Sequence, residues 1–314
     1  MSKILYLVIP CYNEEEVLPL TKKELKEKMD NLIKENKISK DSKVMFVNDG
    51  SKDKTWELIE EYHNEDPLFV GVKLSRNKGH QNALLAGLMT AKKYADITIS
   101  MDADLQDDIN VIDKMIEENN KGSEIVYGVR SSRKKDSWFK RFTAESFYKL
   151  MRVMGVEVVF NHADCRLMSK RALDELERFD EVNLFLRGIV PLIGFQTSVA
   201  TYERKERAAG ESKYPLKKML SFAWDGITSF SVKPLKMITT LGFIMLFISI
   251  IMIIYTIVVK ILGNTVDGWA FIMLSIWFIG GVQLVSVGLI GEYVGKIYSE
   301  TKHRPRYIIE RELK

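Results

Sequence analysis

A chain of 314 residues has room for one sizeable α/β domain and a smaller appendage, since single domains mostly span about 50–250 residues. Lys and Arg total 46 against 42 Asp and Glu, and a net charge of +4 is too small to argue for a nucleic-acid partner. The two cysteines, Cys11 and Cys165, lie far apart without zinc-ribbon or thioredoxin spacing, which suits a reduced cytoplasmic location.

The first apolar run, Ile4 to Pro10, is short and is followed at once by Glu14, Glu15 and Glu16, with no small-residue cleavage site. It reads as a buried strand rather than a signal peptide. Short apolar runs and longer helical patterns then alternate. The spacing predicts strands over 4–9, 43–48, 69–74, 97–101 and 124–129, and helices over 15–36, 53–63, 80–94 and 109–120. This alternation predicts an α/β fold built on a mostly parallel sheet with helices on both faces, where ligands bind beyond the C-terminal strand ends.

Two apolar segments follow, Met237 to Val259 and Trp269 to Ile290, each matching the roughly 20 residues that cross a hydrocarbon core as helix. Lys233, Lys236, Lys296, Lys302, Arg304 and Arg306 flank their outer ends, whereas the connecting loop carries only Lys260 and Asp267. The positive-inside rule therefore predicts a multi-pass protein of the cell membrane with both termini cytoplasmic. Between the two parts, Leu216, Met219, Leu220, Ala223, Trp224 and Ile227 recur at helical spacing opposite Lys217, Lys218 and Asp225. That pattern fits an interfacial helix over 215–233. The expected organisation is a catalytic domain over 1–214, the interfacial helix, a transmembrane hairpin over 234–295 and a basic cytoplasmic tail over 296–314. Small residues at Gly280, Gly281, Gly288 and Gly291 would allow helix packing in a homo-oligomer.

The strand ends carry the chemistry. The first leads into Pro10-Cys11-Tyr12-Asn13-Glu14-Glu15, without the glycines of a dinucleotide-binding turn, and no Walker sequence occurs. The second ends in Asn48-Asp49-Gly50-Ser51, which alone is a turn signal. The fourth delivers Asp102-Ala103-Asp104-Leu105-Gln106, where two carboxylates spaced by one small residue can converge on a hard divalent cation, Mg²⁺ or Mn²⁺, that bridges a diphosphate. An isolated D-x-D is most often a solvated loop; one that follows an apolar strand in a βαβ chain carries more weight.

Together with Arg207-x-x-Gly210-x-Ser212-Lys213, these motifs resemble the family 2 polyprenyl-phosphate glycosyltransferases, the group of dolichol-phosphate mannose synthases and bactoprenol glucosyltransferases. The resemblance runs from residue 4 to about residue 310 and implies a GT-A catalytic domain with a two-span anchor. It implies that Pro10, Tyr12, Glu14 and Asp49 hold the base and ribose of a nucleotide sugar, and that Asp102, Asp104 and Gln106 hold the metal and diphosphate. Arg130 would lie near the donor phosphates and acceptor, and Arg207 and Lys213 on a loop that closes over the donor. Asp164 matches the residue usually cast as catalytic base. A phosphate monoester is already largely ionised near neutrality, with a second pKa of about 6, so orienting the acceptor is its larger expected contribution. Arg141 would meet the acceptor phosphate, but Glu145 stands where mannose synthases have serine, which leaves that shell open. His80 and His162 read as structural residues.

The expected reaction is a metal-dependent single displacement with inversion onto a polyprenyl phosphate such as undecaprenyl phosphate. The sequence does not separate the sugars or nucleotides, UDP-glucose being the first candidate. A processive polysaccharide synthase would carry a Q-x-x-R-W motif, and a non-catalytic membrane scaffold would not need the retained carboxylates.

Overall fold

A computed structural model of the chain describes residues 2–130, 162–182, 184–203, 227–229, 231–262 and 268–314. They fall into two compact units, one built on a sheet and one on two long helices.

In the sheet unit, the elements in chain order are β1 (Leu5–Cys11), α1 (Leu18–Lys34), β2 (Lys43–Asn48), α2 (Thr55–Glu65), β3 (Phe69–Leu74), α3 (His80–Ala91), β4 (Ile97–Ser100), α4 (Val111–Asn120) and β5 (Ile125–Arg130). There follow β6 (His162–Ser169), α5 (Lys170–Glu177), α6 (Leu186–Leu192), β7 (Thr197–Tyr202) and, at the far end of the chain, β8 (Ile309–Leu313). The eight strands run in the order β7-β5-β6-β4-β1-β2-β3-β8. β4, β1, β2 and β3 are mutually parallel, β7 is parallel to β5, and β6 and β8 run antiparallel to their neighbours. This is the mostly parallel sheet expected from the alternation, of the GT-A type that the resemblance implies.

Every residue of β1 is buried, as a strand covered on both faces requires. α1 turns Leu18, Thr21, Leu25, Met29 and Leu32 inward, the stripe of an amphipathic helix. α3 is buried from Ala83 to Ala91, and Gly87 lets it approach the sheet: a Cβ there would lie 2.5 Å from Val8 and 2.6 Å from Val47. α1 starts at Leu18 rather than residue 15 because Glu14 and Glu15 are engaged in the turn that follows β1.

The segment expected as a basic tail contributes the eighth strand. β8 caps the outer edge of β3, with Gly71 opposite Leu313 and Ser75 N–H donating to the Ile308 carbonyl at 3.0 Å. Gly71 makes room for this, since its missing Cβ would meet Ile59, Leu313 and Trp56. Alternation of Ile309, Arg311 and Leu313 with two glutamates was too short a signal to stand out.

The second unit contains α7 (Lys233–Ile261) and α8 (Trp269–Thr301). Within them Lys233–Val259 and Phe278–Thr301 are long and apolar enough to cross a membrane, and both surfaces are exposed. Rows of outward Phe243, Leu246, Phe247, Leu284 and Val285 suggest association with lipid. α8 continues past Ile290, and there its polar residues find partners: Lys296 Nζ donates to Thr228 Oγ1 at 2.5 Å and Ser229 Oγ at 3.1 Å, and Tyr293 OH donates to the Ser231 carbonyl at 2.6 Å. Residues 227–229 are helical; the rest of the expected interfacial helix up to residue 226 lies outside the described residues.

Candidate active site

The C-terminal ends of parallel β1, β2 and β4 meet at one edge of the sheet, and the sequence motifs sit there. After β1 the chain turns sharply, with Asn13 in the left-handed region at φ 53°. The turn is stapled to the β2–α2 loop: Asn13 N–H donates to Ser51 Oγ at 3.0 Å, Glu14 N–H to Thr55 Oγ1 at 3.0 Å and Glu15 N–H to Asp53 Oδ2 at 3.2 Å. In return Lys52 N–H donates to Asn13 Oδ1 and Lys54 N–H to Glu15 Oε2, both at 2.9 Å. Pro10 is buried at the end of β1, Glu14 is half-buried and Tyr12 is exposed on the turn.

Asp49 faces inward. Its carboxylate accepts Lys78 N–H at 2.7 Å and Gly79 N–H at 2.9 Å and is almost wholly buried. Burial pushes its pKa up, and the two backbone donors oppose that. Gly50, at φ 63°, packs on the same loop: a Cβ there would lie 2.5 Å from Asn77 N and 2.6 Å from Arg76 C. Asp49 and Gly50 thus fix the loop between β3 and α3, and with it His80, the first residue of α3.

At the end of β4 the alternation stops. Leu105 adopts φ 53°, Thr21 Oγ1 donates to the Ala103 carbonyl at 2.7 Å, and Asp104 Oδ1 accepts Gln106 N–H at 3.2 Å. Gln106 and Asp107 are buried, and Tyr202 OH donates to Asp107 Oδ1 at 2.5 Å. Antiparallel β6 then brings Asp164 to the same point, where its carbonyl accepts Ser100 Oγ at 2.7 Å. His80 Nε2 lies 3.6 Å from Asp102 Oδ1 and 3.9 Å from Asp164 Oδ2. One ligand atom from each of His80, Asp102 and Asp164 falls within 4.8 Å of the others.

Charge is unevenly shared in this group. Burial pushes Asp102 up to about 6; His80 opposes the shift, and Asp164, Asp107 and Asp104 add to it. Burial also acts on Asp164, but there the Arg187 guanidinium wins and holds the carboxyl well below the usual carboxylate range. Arg187, on α6, donates Nε–H to Oδ1 at 3.0 Å and Nη2–H to Oδ2 at 2.9 Å, the fork geometry in which arginine binds a carboxylate best. Arg166, two residues along β6, is buried over the Tyr127 ring at 5.5 Å.

A divalent cation suits this donor set. Carboxylate oxygens with one imidazole fit Mn²⁺ and, with fewer nitrogen ligands, Mg²⁺. The burial that raises Asp102, with the repulsion of its neighbouring carboxylates, is the electrostatic counterpart: a cation offsets both. Asp102, expected as a ligand, faces this seat, and His80 and Asp164 join it from α3 and β6. His80 was read from sequence as structural, and Arg187 carried no motif at all; only the crossing of α3, β6 and α6 reveals them. Arg130 ends β5 opposite Tyr202, its side chain lying outside the described residues, as do Arg141, Arg207 and Lys213.

Residues 6–177 match the profile of glycosyl transferase family 2, and residues 233–297 match the GtrB C-terminal hairpin. An uncharacterised glycosyltransferase of Bacillus subtilis (strain 168), YkoT, is 55% identical over 99% of this chain and 92% of its own length. The bactoprenol glucosyl transferase of Shigella phage SfV is 42% identical over 98% of each chain. Among solved structures, glucosyl-3-phosphoglycerate synthase from Mycobacterium tuberculosis aligns with a TM-score of 0.44 at 14% identity, over 72% of this chain and 78% of its own. By the span of the profile and the identity of these full-length relatives, the chain belongs to glycosyl transferase family 2.

Proposed function

We propose that this glycosyltransferase moves a sugar from a nucleoside-diphosphate donor to a polyprenyl phosphate, with inversion and with a divalent cation. The observation that carries the reading is the acidic seat of Asp102, Asp164 and His80 beside the stapled turn after β1, in a chain that continues into two membrane-length helices. The full-length likeness to bactoprenol glucosyl transferases supports the acceptor class. UDP-glucose is the first donor to test.

A bound Mg²⁺ or Mn²⁺ would neutralise the diphosphate as it leaves. Asp102 and Asp104, joined by His80 and Asp164, would hold that ion, Gln106 would meet the diphosphate, and Tyr12 and Glu14 would meet the base and ribose. Asp49 serves them indirectly, by fixing the loop that carries His80. In the displacement an acceptor phosphate oxygen forms the new bond to the anomeric carbon as the bond to the donor diphosphate breaks, and the nucleoside diphosphate departs with that electron pair. The acceptor oxygen is already anionic near neutrality, its second pKa being about 6. Asp164, tied by both oxygens to Arg187, is therefore better suited to orienting charge than to taking a proton.

The reading extends to topology. The sheet unit includes residues on both sides of the two long helices, β7 before them and β8 after them, which supports an even number of crossings. Together with Lys233, Lys236, Lys302 and Arg304 outside the hairpin, this supports two spans with both termini cytoplasmic.

The test is a panel of nucleotide sugars with undecaprenyl phosphate, with Mn²⁺, with Mg²⁺ and with chelator. Metal-dependent formation of a polyprenyl phospho-sugar is expected. Transfer that persists undiminished in chelator, or donors hydrolysed with no lipid product, would overturn the reading.

A further inference from the structure

Among the described residues, Arg166 is a cation without a carboxylate bonded to it. It is 4% exposed, its Nε is buried without a hydrogen-bond partner, and no carboxylate among the described residues pairs with its guanidinium. Its cross-strand neighbours are Ser100 on β4 and Tyr127 on β5, and the Tyr127 ring underlies it. Buried charges are normally paired, because an isolated one forfeits its hydration. The nearest compensation is Asp164, two residues along the same face of β6, but the hydrogen bonds its two oxygens accept come from Arg187 and not from Arg166. Two arginines thus share one carboxylate, and the surplus is one positive charge.

That surplus lies next to a surplus of the opposite sign. Asp102, Asp104 and Asp107 crowd the end of β4, so the site has an acidic half that suits a cation and a basic half that suits an anion, with Asp164 between them in charge. We propose that Arg166 and Arg187, the two arginines that act on Asp164, form a second subsite that takes a phosphoryl anion, distinct from the cation seat at His80 and Asp102. Arg187 is half-exposed and Arg166 is buried. A phosphate oxygen there would satisfy the orphaned guanidinium by charge-assisted hydrogen bonds, for which arginine's planar fork is suited. The phosphoryl group could come from the lipid acceptor or from the donor diphosphate; which of these it is rests on the transfer reading above, whereas the subsite itself does not.

The first experiment is independent of activity: melting of the full-length protein in detergent with increasing inorganic phosphate, for wild type, Arg166→Met, Arg166→Lys and Arg187→Gln. Phosphate that binds the folded state raises the melting temperature. We expect a phosphate-dependent rise in wild type that is lost in Arg166→Met and reduced in Arg187→Gln. Without phosphate, Arg166→Met should melt no lower than wild type, since it removes an unpaired buried charge and fills the space with an apolar side chain; a purely structural arginine would give a lower melt. Should Arg166→Met not fold, Arg166→Lys and the more exposed Arg187→Gln carry the comparison. The second experiment identifies the source. A rise of roughly ten-fold or more in KM for undecaprenyl phosphate, with UDP affinity in Mn²⁺ unchanged, assigns the acceptor; the converse pattern assigns the donor. An identical phosphate-dependent shift in wild type and every variant, or kinetics and UDP binding unchanged in all of them, overturns the subsite. Absence of lipid glycosylation by wild type would overturn the transfer reading and leave the melting result standing.

Discussion

Arg187 and Asp164 meet as a fork on a fork, Nε to Oδ1 at 3.0 Å and Nη2 to Oδ2 at 2.9 Å, across the gap between α6 and β6. The pair fixes the plane of the Asp164 carboxylate toward His80 and Asp102, so its orientation is set before any substrate arrives. Arg187→Met should therefore lower kcat by on the order of ten- to a hundred-fold, the scale on which misplacement of a catalytic group acts. Since both side chains are partly solvated, the loss of stability should be only about 1 kcal/mol. Asp164 has a folded pKa held below its unfolded value near 4, so its contribution is present above that value and lost as pH falls through the lower folded one. Melts between pH 5 and pH 2 should accordingly narrow the gap between wild type and Arg187→Met. A gap that stays constant over that range would mean the pair adds nothing to stability.

Asp102 has the opposite sign. Its folded pKa of about 6 exceeds the unfolded value near 4, so the protonated carboxyl favours the folded state fully below about 4, and that advantage is lost as pH rises through 6. In chelator, the melting temperature of wild type relative to Asp102→Asn should fall between pH 4 and pH 7. Mn²⁺ competes with the proton for the same carboxylate, so added Mn²⁺ should restore stability at pH 7 and do little at pH 5. Asp104→Asn, nearly isosteric, should abolish transfer while leaving the fold intact by circular dichroism. Full turnover of that variant with saturating Mn²⁺ would remove Asp104 from the site.

The loop between β3 and α3 should be sensitive to changes at β2. Asp49→Ala removes two charge-assisted acceptors from the N–H groups of Lys78 and Gly79, each contributing about 1.5–3 kcal/mol in a buried setting. Gly50→Ala puts a methyl group 2.5 Å from the Asn77 nitrogen at a φ that alanine disfavours. Both variants should melt lower than wild type and lose Mn²⁺-dependent nucleotide affinity, because His80 is no longer held. Asp49→Asn, which keeps one acceptor oxygen, should lie between. Hydrogen exchange at residues 76–80 would report the release directly; unchanged protection there would detach Asp49 from His80.

The parallel half of the sheet was legible because apolar runs and helical stripes are local signals, and the motifs at residues 10–15, 48–51 and 102–106 follow strands as expected. What the sequence could not supply was the antiparallel half. Asp164 meets Ser100 across 64 residues, and no local pattern announces that β6 returns against β4. Arg187 and His80 were missed for the same reason: each is an ordinary helix residue until another element lies opposite it. Arg141, Arg207 and Lys213 rest on resemblance alone, since they fall outside the described residues.

The last prediction concerns β8. From sequence, cutting the chain after Tyr214 would leave a complete catalytic domain, because every motif lies at or before Lys213. The structure changes that expectation: the cut also removes β8 and leaves the outer edge of β3 without its partner. An open edge strand loses ladder hydrogen bonds and becomes a template for aggregation. The ion pairs of β8, Lys73 with Glu310 and Arg311 with Glu60, are exposed and contribute little. Its main support is the backbone ladder together with Leu313, which packs near Trp56 and Ile59 over Gly71. Deletion of residues 309–314 from the full-length protein should thus lower the melting temperature and increase aggregation, whereas Arg311→Ala should do neither. Leu313→Ala should cost about 1–2 kcal/mol, less than a fully buried leucine. Of two truncations, one ending at Tyr214 and one in which residues 304–314 are rejoined to residue 214 through a flexible linker, only the second should stay monomeric and bind nucleotide with wild-type affinity. If both are equally soluble and bind equally well, β8 is dispensable and the sheet is complete with seven strands.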